Sequence, residues 1–119
     1  MEGIIAITVA EDAGSGARVD PRFGRAKGFL LIEAGGATAR YLPNDGKEAA
    51  HGAGTGAAAL MAEQGVTAVI TGEVGPKAYQ GLEAAGIAMY LCPDGLTAGE
   101  ALERFRQGAL EAKRMQVLR

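Results

Sequence analysis

A chain of 119 residues is the length of one ordinary domain, and 48% apolar with 22% charged residues is the composition of a protein with a packed core. The net charge of −2 argues against a nucleic-acid-binding protein, which needs a broad basic face. The sequence has no basic signal-peptide segment, no apolar run of the roughly 18 residues that span a membrane, and one cysteine, too few for an intramolecular disulfide. We therefore expect a cytoplasmic protein that contacts neither nucleic acid nor membrane.

Three strands are predicted in the first half of the chain, over residues 4–10, 29–34 and 37–43. The first, IIAITVA, is β-branched and apolar, which is typical of a central strand covered on both faces. Gly35 and Gly36, between the other two, indicate a two-residue hairpin, because positive φ is available to glycine at both positions. Arg40 and Pro43 place the third strand at an edge of the sheet.

The second half alternates helices and strands. The predicted elements are a helix of about ten residues from Thr55 with a stop at Gly65, a strand over 66–71, a helix from Pro76, a strand over 87–92 and a last helix opened by a capping box of Thr97 and Glu100. The helix residues expected to face the core are Leu60, Met61, Ala78, Leu82, Ala85, Leu102, Phe105 and Ala109. The order of elements is therefore βββαβαβα.

Right-handed crossovers place the fourth strand beside the first, which gives a mixed five-stranded sheet of order 3-2-1-4-5 with helices on both faces. The domain is expected to span residues 1–112, followed by a polar tail over 113–119. The first and fourth strands are then neighbours whose connections leave in opposite directions, the point where open α/β sheets bind ligands. The loops that reach this end of the sheet are 11–27, 44–55, 72–76 and 92–96.

The loop after the first strand concentrates positive charge. The segment RVDPRFGRAKGF, residues 18–29, contains one acid, Asp20, and four cations, Arg18, Arg22, Arg25 and Lys27. Arginine makes directed, multi-donor hydrogen bonds to oxyanions or sulfide, so we interpret the loop as an anion clamp. Solvated surface charge is the alternative, and the position of the loop at the switch point favours the clamp.

Two glycine-rich segments open helices at the same end of the sheet: HGAGTG, residues 51–56, and TGEVGPK, residues 71–77. Glycine lets backbone N–H groups approach a ligand closely, and the positive end of the helix dipole favours an anion. The first segment is not a P-loop, because no Gly-Lys-Ser/Thr follows it, and a flexible loop with a helix cap is its alternative. Two such helix starts facing one crevice predict a cationic, glycine-rich anion site at the carboxyl ends of the parallel strands.

Metal-ligating and catalytic residues are scarce. His51 is a candidate for one metal ligand or for a hydrogen bond to a bound cluster, although a lone histidine is more often an ordinary surface residue. Cys92, beside the same crevice, is a weaker candidate and is expected to be a buried, inert thiol. A mononuclear zinc site needs about four ligands, so a metal here would arrive with most of its ligands attached. The first strand carries no carboxylate and no nucleophile has a nearby base, so we expect no enzymatic activity.

The stretches RVDPRFGRAKGFLLIEA and HGAGTGAAALMAEQGVTAVITGEVGPKAYQGLEAAGIAMY resemble the dinitrogenase iron–molybdenum cofactor biosynthesis domain family. The resemblance runs from about residue 4 to about residue 110 and is most specific at Phe23-Gly24-Arg25-Ala26, at the helix start after His51 and at VITGEVGPKA. It implies a ribonuclease H-like α/β fold and binding of a metal–sulfur cluster instead of hydrolysis. The positions that match the family's motif are Arg25, the turn Gly52 to Gly56 and the turn Gly72 to Gly75.

The ligand that the resemblance implies is a molybdenum–copper sulfide cluster, held without thiolate ligands, or an iron–molybdenum cofactor precursor. The sulfides of such a polyanion already fill the coordination sphere of its metals, so the protein need offer only cations and N–H groups. The predicted cofactor-binding residues are Arg18, Arg22, Phe23, Gly24, Arg25, His51, Gly52, Gly54, Thr55, Gly56, Gly72, Glu73, Val74 and Gly75.

The expected function is non-covalent binding, carriage or storage of an anionic molybdenum–sulfur cluster, either Mo–Cu–S or Fe–Mo–S, with protein partners in its delivery. One alternative is an interaction module that docks on a partner metalloenzyme or assembly factor without binding a cofactor. A ribonuclease H-like hydrolase is disfavoured, because the first strand has no acid.

Overall fold

A computed structural model describes residues 3–33, 35–36, 38–44 and 53–113, with the side chains of 53–55 left out. Its elements, in chain order, are β1 (Ile4–Val9), a 3-10 turn (Gly14–Gly16), β2 (Gly28–Glu33), β3 (Ala39–Pro43), α1 (Ala53–Glu63), β4 (Val66–Thr71), α2 (Pro76–Ala84), β5 (Ala88–Leu91), α3 (Ala98–Arg106) and β6 (Glu111–Ala112). None of the helices in this part of the chain has the length and apolar character needed to cross a membrane.

The strands form one sheet in the order β3-β2-β1-β4-β5-β6. The pairs β1–β4 and β4–β5 are parallel, and the other pairs are antiparallel. The predicted mixed sheet and its order 3-2-1-4-5 are therefore confirmed, with one strand added at the β5 edge. Because β1 and β4 are parallel neighbours, their carboxyl ends lie side by side at one end of the sheet.

The added strand β6 is formed by residues that the sequence placed after a longer last helix. Helix α3 ends at Arg106, and Gly108 adopts a positive φ of 73° that turns the chain back. Ala109 is therefore outside the helix and exposed, contrary to the prediction that it faces the core. Tyr90 and Leu91 then pair with Ala112 and Glu111. Two residues, one of them an exposed glutamate, give too short a pattern to predict a strand.

The predicted polar tail keeps contact with the fold at its first residue. The Lys113 N–H donates to the Met89 carbonyl oxygen over 2.9 Å, and the Lys113 ammonium lies 5.9 Å from the centre of the Tyr79 ring. The remainder of that tail, 114–119, lies outside the described residues.

Helices cover both faces of the sheet, as predicted. One core, between the sheet and α1 with α2, contains Phe29, Met61, Val69 and Leu82. The other, between the sheet and α3, is built on residues Ile5, Ile7, Leu30, Ile70 and Ala101. Burying each of the large side chains contributes about 1.5–3 kcal/mol.

On α2, Ala78 and Leu82 are buried as predicted, whereas Ala85 is exposed and Tyr79 packs in its stead. Ala85 is the C-cap of this helix, so it has left the apolar stripe. A β-carbon on Gly81 would lie 2.9 Å from Cβ of Ala58, so α1 and α2 are in close contact. Both helices follow strands that end at the same edge, and their first turns therefore lie at the same end of the molecule.

The connection between β2 and β3 has Gly35 and Gly36 at its centre. The register pairs Ile32 with Ala39, and both glycines lie midway between these two residues. Residues 34 and 37, which would close the predicted two-residue hairpin, lie outside the described residues. The φ of Gly36 is not positive, and its N–H donates to the Glu33 carbonyl oxygen over 2.9 Å. This turn lies at the end of the sheet opposite the carboxyl ends of β1 and β4.

Candidate anion-binding site

The basic loop lies over the carboxyl ends of β1 and β4. We call residues 18–25 the arginine loop. The Ala10 N–H donates to the Arg18 carbonyl oxygen over 2.9 Å, and the Asp20 N–H donates to the Thr8 carbonyl oxygen over 2.9 Å. These bonds join the end of β1 to the loop, so the loop is held against the sheet.

A buried pair of hydroxyls fixes the start of the loop. Thr8, near the end of β1, and Thr71, the last residue of β4, are both 0% exposed, and their hydroxyl oxygens lie 2.9 Å apart. The Thr8 hydroxyl donates to the Asp20 carbonyl oxygen over 2.7 Å. Neither threonine was singled out from the sequence, because both stand in strands that read as apolar; the available signal was a threonine near the end of two neighbouring buried strands.

A second anchor holds the end of the loop. Asn44, directly after β3, is 2% exposed, and its side-chain amide donates to the carbonyl oxygens of Gly24 and Ala26 over 3.2 and 2.9 Å. Its backbone N–H donates to the Lys27 carbonyl oxygen over 3.0 Å. Asn44 was also missed from the sequence, where it reads as an ordinary turn residue after Pro43.

The loop fills the place where an open crevice was expected. Asp20 lies against Thr8 and Thr71, and Pro21 packs directly on Gly72, so the β1–β4 junction is covered by backbone. A ligand can therefore meet only the outer surface of the loop here. Gly72 has a packing role within the fold, which the prediction of a ligand-contacting glycine did not foresee.

Arg22 and Arg18 of the loop bond to different neighbouring segments. The backbone of Arg22 forms an isolated parallel β-bridge with Glu73 of the β4–α2 turn, and the Phe23 N–H donates to the Glu73 carbonyl oxygen over 3.2 Å. Arg18 instead forms a bridge with Thr97, which caps α3 on the other face of the sheet. The structure thus joins Arg22 to the predicted 72–75 turn and directs the Arg18 backbone towards α3.

The side chains of Arg22 and Arg25 are exposed. The Arg22 side chain is 61% exposed, and its Nε lies 3.9 Å from Oδ1 of Asp20. The backbone N–H of Arg22 donates to the same oxygen over 2.9 Å. Surface ion pairs of this length are weak, so Arg22 retains its capacity to bind an anion. The Arg25 N–H closes a turn on the Arg22 carbonyl oxygen over 3.3 Å, which keeps the two arginines near each other.

Two predicted site residues belong to the core. The Phe23 side chain is 1% exposed and its ring centre lies 5.8 Å from that of Phe29, and Val74 is 7% exposed. Their side chains therefore hold the loop and the turn in place from inside, and only their backbone faces the site. Gly24 is half-buried and Glu73 is exposed.

The two helix starts are only partly within the described residues. Gly75 caps α2 without a side-chain hydrogen bond to the first turn, and Pro76 occupies the first helical position. Gly54 and Thr55 lie in α1, and a β-carbon on exposed Gly56 would meet nothing within 4 Å. His51 and Gly52 lie outside the described residues. The first turn of α2 therefore presents N–H groups that no side chain caps.

Metal-ligating side chains do not gather in the described ranges, which contain no group of three or more His, Cys, Asp or Glu residues. Cys92 is buried, as predicted, and this burial raises the pKa of its thiol. The Asp94 carboxylate raises that pKa further and the Arg104 guanidinium opposes the rise. A neutral buried thiol is a poor metal ligand, because the thiolate is the form that binds metals.

These features define a small α/β domain with exposed arginines at the carboxyl ends of its parallel strands, and known proteins share its fold. Residues 3–108 match the family described as dinitrogenase iron–molybdenum cofactor. The chain belongs to this family, and the resemblance inferred from the sequence is confirmed.

Three relatives show how far the likeness extends. The structure is similar to the apo form of the orange protein from Desulfovibrio gigas, with a TM-score of 0.89 and 40% identity over 95% of this chain and 94% of that one. It is also similar to a NifB-type protein from Thermotoga, with a TM-score of 0.80 and 30% identity over 92% of each chain. An uncharacterized protein of Methanocaldococcus jannaschii is 33% identical over 79% of this chain and 81% of its own length.

Proposed function

We propose that this protein binds and carries an anionic molybdenum–sulfur cluster, either a molybdenum–copper sulfide or an iron–molybdenum cofactor precursor. The binding surface is the outer side of the arginine loop together with the first turns of α1 and α2. The observation that carries the proposal is the pair of exposed arginines, Arg22 and Arg25, on a loop that is tied by buried hydrogen bonds and joined to Glu73 of the next turn.

The donor set suits a cluster whose metals are already coordinated. Guanidinium groups and backbone N–H groups donate hydrogen bonds and leave metals untouched, which is what the sulfides of a polyanionic cluster require. The described residues gather no metal-ligand set, and the buried thiol of Cys92 is held neutral. His51 and the turn from Gly52 to Gly56 remain proposed contacts on the α1 side.

Family membership and the likeness to the orange protein support a role in binding or carrying a metal cluster or cofactor. We infer a carrier without catalytic activity, one that passes its cluster to a protein partner in the cytoplasm. Glu73, whose backbone forms the bridge with Arg22, is an exposed acid that lowers the net positive charge of this surface, and a lower charge favours release of the anion.

The direct test is retention of a cluster. Purified protein is mixed with tetrathiomolybdate and copper(I), desalted, and analysed for metal content and charge-transfer absorption. The proposal predicts a stoichiometric coloured complex that Cys92→Ser also forms. Absence of any retained molybdenum in the folded wild type contradicts the proposal and leaves the docking module as the better hypothesis.

A further inference from the structure

The buried hydroxyls of Thr8 and Thr71 occupy positions where the alternation of the strands would suit apolar side chains. Ala6 and Val69, two residues earlier on each strand, belong to the core between the sheet and α1 with α2. Placing two hydroxyls in such a core costs free energy unless they are hydrogen-bonded. Both find partners, in each other and in the Asp20 carbonyl oxygen.

Asp20 connects this hydroxyl pair to the cations. Its N–H donates to the Thr8 carbonyl oxygen over 2.9 Å, and its carbonyl oxygen accepts from the Thr8 hydroxyl over 2.7 Å. Both backbone polar groups of Asp20 are therefore hydrogen-bonded to β1. Its carboxylate, with the side chain 12% exposed, accepts the Arg22 N–H over 2.9 Å. One residue thus links the ends of β1 and β4 to the backbone that presents the arginines.

We propose that Thr8 and Thr71 are positioning residues of the cluster site: their paired hydroxyls fix Asp20 and thereby set how Arg22 and Arg25 face the ligand. This inference rests on the proposed function. A loop that is already ordered loses little conformational freedom when the anion binds. Without the hydroxyls the loop would become ordered only on binding, and the conformational entropy lost in that step would lower the affinity. The threonines act through the loop, since neither side chain is exposed to the ligand.

The test compares Thr71→Val with Thr67→Val. Valine keeps the shape of threonine and removes the hydroxyl, and Thr67 lies on the same strand but is exposed, at the opposite end of β4, with its hydroxyl 3.5 Å from the Ile4 carbonyl oxygen. Thr71→Val should raise the dissociation constant for tetrathiomolybdate about tenfold, because this is the factor that corresponds to the loss of one hydrogen bond. Thr67→Val should leave the dissociation constant unchanged. Thr71→Ser, which keeps the hydroxyl, should restore binding.

A double-mutant cycle separates positioning from general destabilisation. Arg25→Ala should weaken binding in the wild type by a larger factor than in the Thr71→Val protein, because the arginine is no longer held in place there. Hydrogen exchange of the Asp20 and Phe23 amides in the ligand-free protein should also accelerate about tenfold in Thr71→Val. Equal factors for Arg25→Ala in both backgrounds, or unchanged exchange at these amides, would overturn the inference.

The experiment also distinguishes the two proposals. If wild-type protein fails to bind tetrathiomolybdate, the proposed function falls, and exchange at Asp20 and Phe23 still decides whether the hydroxyls hold the loop. If Thr71→Val does not fold, Thr71→Ala and Thr71→Ser give the same comparison with and without the hydroxyl.

Discussion

Gly72 and Pro21 pack so closely that a β-carbon on Gly72 would lie 2.7 Å from Cα and 2.8 Å from the carbonyl oxygen of Pro21. Backbone cannot move aside as a flexible side chain can. We therefore expect Gly72→Ala to lower the free energy of unfolding by about 1–3 kcal/mol, the usual cost of overpacking. Urea denaturation measures this loss, and stability equal to that of the wild type would show that the loop can shift away from Gly72.

Gly56 provides the opposite case within the same predicted site. Its φ is not in the left-handed region and a β-carbon there meets open space, so nothing in the described fold requires glycine. Gly56→Ala should stabilise α1 by about 0.5–1 kcal/mol, because alanine has the higher helix propensity. If the cluster approaches this backbone, the same variant should bind tetrathiomolybdate more weakly. Greater stability with unchanged affinity would remove the α1 start from the site.

Much of the fold follows from sequence patterns that act locally. The buried runs of β1 and β4, the proline that opens α2 and the capping box before α3 are each decided by a few neighbouring residues, and each was predicted. Strand β6 was missed because two residues carry no periodicity, and its pairing with β5 is a tertiary contact.

The site was predictable in its location and less so in its construction. A cluster of arginines in a loop at the switch point is visible in the sequence. The anchors of that loop are not, because Thr8 bonds to Thr71 and Asn44 bonds to Gly24 across long separations in the chain. A hydroxyl in an apolar strand or an asparagine in a turn has no local signature of such a partner.

The capping box of α3 offers a test that should leave the site untouched. The Glu100 N–H donates to the Thr97 hydroxyl over 3.2 Å, and the Thr97 N–H donates to the Glu100 carboxylate over 2.9 Å. Thr97→Ala removes the first of these bonds and should cost about 1 kcal/mol of stability. Thermal unfolding reports the cost, and binding of tetrathiomolybdate should stay within twofold of wild type, about 0.4 kcal/mol. A large loss of affinity would mean that the bridge between Thr97 and Arg18 positions the arginine loop for the ligand.

Cys92 should make stability depend on pH on the alkaline side. Burial raises the pKa of its thiol above the ordinary value of 9.0, so the folded protein holds this proton more tightly than the unfolded chain. The contribution is complete below pH 9.0 and is lost as the pH rises through the raised pKa. Unfolding free energies of wild type and Cys92→Ala, measured from pH 7 upwards, should converge above pH 9.0. Parallel curves would contradict the burial of a neutral thiol.

The central claim is that the cations of the arginine loop bind the cluster, and Arg106 is its matched control. Arg106 is an exposed arginine at the other end of the sheet, where its guanidinium donates to the Gly36 carbonyl oxygen over 2.8 Å. Both substitutions, Arg25→Ala and Arg106→Ala, remove one guanidinium and change the net charge equally.

The measurement is a titration of wild type and of these two variants with tetrathiomolybdate and copper(I), at low and at physiological ionic strength. A hydrogen bond to a charged group in a partly desolvated site contributes roughly 1.5–3 kcal/mol, so Arg25→Ala should weaken binding about ten- to hundredfold. Arg106→Ala should bind like the wild type, and added salt should weaken binding of all three proteins. Equal affinities for the two variants, or affinities that do not change with salt, would show that the arginine loop carries ordinary surface charge.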